Sequence, residues 1–199
     1  PAPILFLTSA ATDISTLSAC LRQPDLGHWQ EQVRALPLDC LRHPAQIDHY
    51  LATTGRTARV LLVRLLGGRG HWSYGLEQCR RWQSSAPQRT LIVLAGTADQ
   101  NDELHPIGSV SSSLSHQLAL LLREGGMPNM TKVLKAIHPF ITRGKEAETL
   151  IDATDLQPER MADPAPFDWR DEPGAKVGVL LYRAHARAAD TDWCDQLLT

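Results

Sequence analysis

Apolar positions in this chain follow two rhythms. In the first, short runs are apolar at nearly every position: "ILFL" (Ile4–Leu7), "ARVLLVRLL" (Ala58–Leu66) and "TLIVLAG" (Thr90–Gly96). Runs of this length without alternation read as strands covered on both faces. "VRALPL" (Val33–Leu38) is a weaker strand, because Pro37 lacks an amide donor and fits an edge or an early end. The second rhythm is helical. Ile14, Leu17, Ser18 and Leu21 share one face of "ATDISTLSACLRQ", with Thr12 or Asp13 as the cap. Pro44 opens a helix that closes at Gly55, read as its C′ residue. Leu76, Cys79 and Trp82 align in an amphipathic helix from Trp72 to Ser84.

The order is therefore β-α-β-α-β-α-β. Strands joined through helices pair in parallel with right-handed crossovers. The expected fold class is α/β: an open, doubly wound, mainly parallel sheet with a flavodoxin-like strand order. The alternation then breaks. Val110–Gly126 reads as one helix stopped by two glycines, and Pro128–Ile141 as a second. This pair, 110–141, is a helical appendage to an α/β domain spanning 1–143. Residues 144–175 carry Pro158, Pro164, Pro166 and Pro173 and read as a linker or an extended wrapping segment, with Phe167 and Trp169 able to dock. "KVGVLLYRAH" (Lys176–His185) starts a new strand, and a helix begins at Asp190. This last β-α pair, 176–199, either completes the first sheet or opens a second α/β region that is cut short.

Composition narrows the function classes. The chain has 199 residues and a net charge of −2, so neither a basic nucleic-acid face nor an acidic tail is indicated. No apolar run approaches the ~20 residues of a membrane span. Cys20, Cys40, Cys79 and Cys194 are widely spaced, which reads as unconnected thiols in a reducing compartment. The eight histidines form no H-x-x-x-H or H-E-x-x-H pattern, so no metal site is assigned. His71, His105 and His185 each follow an expected strand and could meet at one sheet edge. Asp99, Asp102 and Glu103 read as a solvated loop, with a metal site the less favoured alternative. Ser109–Ser115 reads as the capped first turn of a helix, and no G-x-S-x-G elbow is present.

The most informative stretch is "RLLGGRGHWSYG" (Arg64–Gly75). Its glycines fit neither G-x-G-x-x-G nor a P-loop, so it is no phosphate loop. Two readings remain. In one, it is a tight turn between strand and helix, with glycines supplying positive φ and Trp72 and Tyr74 packing the helix. In the other, Arg64, Arg69, His71, Trp72 and Tyr74 line a pocket at the carboxyl edge of the sheet. Forked guanidinium donors and aromatic rings suit a planar, carboxylate-bearing ligand.

"ARVLLVRLLGGRGHWSYGLEQ", "ILFLTSAATDISTL" and "KVGVLLYRAHARAADT" together resemble the N-terminal part of the large subunit of aerobic cobaltochelatase, a relative of the magnesium chelatase large subunit. The resemblance implies a tetrapyrrole-binding part of an enzyme that inserts cobalt into hydrogenobyrinic acid a,c-diamide during cobalamin biosynthesis. It implies ATP hydrolysis on separate AAA+ type subunits, a cytoplasmic location, and a longer chain of which this is a piece. It implies no cofactor bound here and no turnover by this piece alone. No family catalytic motif falls in this span, so no catalytic residue is assigned. The alternative is a non-catalytic docking or scaffolding module of a cobalt- or magnesium-chelatase complex. That alternative expects an exposed apolar patch on the helical pair. A response-regulator-like domain is a weaker third reading, since Asp13 and Asp99 do not supply an obvious acidic pocket.

Overall fold

The structure is a computed structural model that describes residues 2–160, Gly174, 183–188 and Gln196. Four parallel strands form one sheet: β1 (Ile4–Thr8), β2 (Val33–Pro37), β3 (Val60–Leu65) and β4 (Thr90–Ala95). Their order is β2-β1-β3-β4, which is flavodoxin-like as expected. Strands β1, β3 and β4 are buried at every position, while β2 is partly exposed at the edge where Pro37 ends it.

Seven helices follow in chain order through residue 143. They are α1 (Ala11–Leu21), α2 (Pro44–Thr53), α3 (Ser73–Ser84), α4 (Asn101–Leu104), α5 (Ser112–Glu124), α6 (Met127–Ile137) and α7 (Phe140–Arg143). Side chains alternate across the sheet. Ile4, Phe6, Val60, Leu62, Ile92 and Leu94 meet α1 and α5 on one face. Leu5, Leu7, Leu61, Val63, Leu91 and Val93 meet α2 and α3 on the other. The sheet is thus doubly wound.

Two tryptophans on the α3 side bracket α2. Trp72 Nε1 donates to the Leu41 carbonyl at 2.9 Å, just before α2 begins. Trp82 Nε1 donates to the Gly55 carbonyl at 2.8 Å, just after it ends. Each indole buries its ring and still satisfies its one donor. Gly75 makes this possible, since a Cβ there would lie 2.1 Å from the Trp72 ring.

Gly55 follows the C-cap residue Thr54, at the expected C′ position, but without a left-handed backbone; it lies in the turn Thr54–Arg56, with its carbonyl directed at Trp82. The expected cap of α1 is corrected. Neither Thr12 nor Asp13 caps α1. Ala10 is the N-cap residue and its methyl group cannot bond, while the Asp13 carboxylate is turned to Thr8 and Arg64. By contrast, Ser111 caps α5 by accepting from Leu114 N–H at 3.1 Å.

Past β4 the chain covers the open edge of that strand. Ser109 Oγ accepts from Leu91 N–H, Ser109 N–H donates to Leu91 O, and His105 Nε2 accepts from Ala95 N–H. These bonds occupy edge groups that would otherwise invite another strand. The helical pair is then seated on the body: α5 lies on the sheet, and α6 packs against α1 and α5. Residues 144–156 also lie against this layer, with Ala147 and Leu156 buried in the same core. Arg183–Arg187 is a short helix, so His185 lies in a helix and not at the end of a strand as expected. The expected strand over 176–182, the helix from Asp190, Phe167 and Trp169 fall outside the described residues.

His105 gives the fold a pH dependence. The ring is buried, and its Nε2 must be unprotonated to accept from Ala95 N–H. Burial pushes its pKa down to about 4; His116 and Arg123 push the same way, and Asp102 opposes them. An unfolded histidine titrates near 6.5, so the unfolded chain takes up the proton first. The contribution to stability is full above about pH 6.5 and is lost as pH falls toward about 4. The urea midpoint is therefore expected to drop between about pH 6.5 and about pH 5, and His105→Gln is expected to flatten that slope. A midpoint with the same slope in both chains would contradict this role.

Candidate functional site

Strand order reverses between β1 and β3, where open α/β sheets place their ligands, beyond the carboxyl ends of the strands. Thr8 and Arg64 are register partners there. They continue the rows Ile4–Phe6 and Val60–Leu62 on the α1 face, where the next position would otherwise be apolar. Asp13, in the first turn of α1, meets both. The Arg64 guanidinium donates to Asp13 Oδ1, and Thr8 Oγ1 donates to Asp13 Oδ2 at 2.6 Å. The two charged side chains are 9% and 6% exposed, so water contributes little to either. Burial pushes the Asp13 carboxyl above its ordinary range, while Arg64 and Thr8 pull against that shift.

The five residues expected to line one pocket are distributed over three clefts. Arg64 lines a cleft of about 340 Å³ on the α1–α5 face. His71 and Trp72 share a second, of about 630 Å³, with Ser9, Asp39, Arg42 and Gly67. Arg69 and Tyr74 share a groove of about 660 Å³ along α3 with Glu77 and Arg80. Leu66, 37% exposed, is the ridge between the first two clefts.

Their partners separate them further. Trp72 is mostly buried in the α3 core. Tyr74 Oη donates to the Asp48 carboxylate at 2.9–3.0 Å. The Arg69 backbone N–H donates to Glu103 Oε1 at 3.0 Å. Gly67 and Gly68 have φ of 97° and 74°, which is the backbone a tight turn requires here.

Sequence reasoning missed Asp13 as the partner of Arg64, and it missed Arg123, Glu124 and Arg187, which line the same cleft. One signal was present: Arg64 interrupts an apolar run that is buried throughout. Among the described residues, no group of three His, Cys, Asp or Glu side chains is placed to hold a metal ion. His71 is exposed while His105 is buried under the β4 edge. Cys20, Cys40 and Cys79 are free thiols, and burial pushes Cys79 up to about 12. The large apolar side chains most exposed among the described residues are Leu66, Tyr74 and Leu150, and none of them lies on α5 or α6.

Known proteins are similar to most of this chain. The CobN subunit of aerobic cobaltochelatase from Sinorhizobium sp is 32% identical over 148 residues, which is 74% of this chain. This chain is related to a segment of CobN. The Pseudomonas aeruginosa CobN subunit is 28% identical over an alignment of 200 residues, covering 92% of this chain. The chain spans only 11% and 16% of those two CobN proteins. The catalytic subunit of cobaltochelatase from Mycobacterium tuberculosis shares the fold over 99% of this chain and 15% of that one, with a TM-score of 0.56 and 19% identity. No family model matches the chain. Among the described residues of this CobN relative, no helix is long and apolar enough to cross a membrane.

The geometry sorts the five residues by role. Arg64→Ala and Trp72→Ala are each expected to cost about 3–5 kcal/mol, one by leaving Asp13 unpaired and the other by emptying core volume. His71→Ala, Arg69→Ala and Tyr74→Phe are expected to leave the urea midpoint close to that of the parent chain. Equal losses across all five would contradict the assignment.

Proposed function

We propose that this chain is a segment of the large, tetrapyrrole-holding subunit of an ATP-dependent cobaltochelatase. Its task is to help hold hydrogenobyrinic acid a,c-diamide while cobalt, a substrate, is inserted elsewhere in the complex. The observation that carries this reading is the relationship to the CobN subunits, which is spread over most of the chain. The open cleft of about 630 Å³ beyond the β1 and β3 ends supports it. That cleft offers an exposed arginine, Arg42, an exposed imidazole, His71, and the edge of Trp72. A guanidinium pairs with a carboxylate arm. A cleft of this size takes one rim of a macrocycle, so the rest of a longer chain completes the enclosure.

ATP is hydrolysed on separate AAA+ type subunits, the complex works in the cytoplasm, and this segment alone has no turnover and binds no cofactor. The test is a titration of the chain with hydrogenobyrinic acid a,c-diamide, followed by quenching of its five tryptophans. Saturable quenching is expected, weakened about tenfold by Arg42→Ala and also by His71→Ala, and unchanged by Arg69→Ala in the neighbouring groove. Absence of quenching would overturn the binding role and leave a docking or scaffolding module.

A further inference from the structure

The smaller cleft, on the α1–α5 side of Leu66, is a different kind of place. Three guanidinium groups line its wall of about 340 Å³: Arg64 from β3, Arg123 from α5 and Arg187 from the short helix 183–187. Among the described residues only two carboxylates join them, Asp13 and Glu124. Asp13 is taken by Arg64 and Thr8, and Glu124 lies 3.3 Å from Arg187. Arg123 is left with neutral acceptors, the Asn101 side-chain oxygen at 3.0 Å and the Ala95 carbonyl at 3.4 Å. It is held close enough to Arg64 that this like charge, after burial, lowers its pKa.

Arg64 still has an unspent donor. Its side chain is 91% buried, and its Nε has no hydrogen-bond partner. A buried guanidinium N–H without an acceptor is costly, and a native fold does not usually keep one idle.

Backbone groups point the same way. Both α1 and α6 are 11-residue helices that begin at this cleft, and neither has a side-chain cap at its start. Gly125 and Gly126, at φ of 70° and 82°, form the rim without side chains. The carbonyl end of α5 lies at the same rim, where Arg187 covers the Glu124 carbonyl. Uncapped helix starts present amide donors, and those donors favour negative charge.

We infer that this cleft is a binding site for a small oxyanion, a carboxylate or a phosphate, held by Arg123 and Arg64 between the starts of α1 and α6. The cleft of about 340 Å³ has ample room for such a group. The site lies across Leu66 from the cleft assigned to the tetrapyrrole rim and does not depend on that assignment. The anion has two possible sources, a free ion or the carboxylate arm of a larger ligand.

The experiment is a titration of the ¹⁵N-labelled 199-residue chain with sodium acetate and, separately, sodium phosphate, each at ionic strength matched with sodium chloride. The side-chain Nε–H signals of Arg64, Arg123 and Arg69 are followed. Saturable shifts are expected at Arg64 and Arg123 and not at the exposed Arg69. Arg123→Gln is expected to weaken binding about tenfold or more. Saturation by acetate but not phosphate identifies a carboxylate arm as the occupant, and tighter binding of phosphate identifies a free anion. Shifts that stay linear with concentration, or that chloride reproduces, would overturn the site. The parent-chain readout needs no variant, so it stands even where Arg123→Gln fails to fold.

Discussion

The carboxyl edge of this molecule depends on the contact between the Asp13 carboxylate and the Arg64 guanidinium. Arg64 occupies a strand position whose row, Val60 and Leu62, is otherwise apolar and wholly buried. A charge placed there must be matched, because leaving it unpaired costs several kcal/mol, on the order of 3–5. Asp13 supplies the match from α1, and Thr8 fixes the other carboxylate oxygen. One residue thereby ties the first turn of α1 to both central strands.

The two faces of the sheet carry different duties. On the α2–α3 face the tryptophans complete the core, and their N–H groups close on Leu41 and Gly55. That face is settled, and what it offers to solvent is its rim, at His71 and Arg42. On the α1–α5 face polar groups replace apolar ones at the carboxyl end, and the charges there do not balance among the described side chains. Leu66 divides the two regions, held over Gly96, where a Cβ would lie 2.1 Å from the leucine side chain. The Arg64–Gly75 loop, open from sequence to a turn or a pocket reading, lies between three clefts.

The fold was legible because burial on both faces produces continuous apolar runs, and three of the four strands show them. The edge position of β2 was legible from Pro37. The helical pair was found, but not its seat on the sheet, because a helix pattern does not state which face it covers. The site was legible only in part. Arg64 was singled out, but its partner lies 51 positions away and carries no local mark. Trp72 has the composition of a ligand wall and the burial of a core residue, and only Gly75, which makes room for its ring, hints at which it is. The glycines of the turn were read from their type, since only two of them needed a left-handed backbone.

A double-mutant cycle on Asp13 and Arg64 tests the central claim most directly. Asp13→Leu, Arg64→Met and the double variant are unfolded in urea beside the parent chain. The account predicts that the double variant loses less than the sum of the single losses, with a coupling of about 2–3 kcal/mol. Losses that add within about 0.5 kcal/mol would show that the two charges do not act as a pair, and would contradict the account.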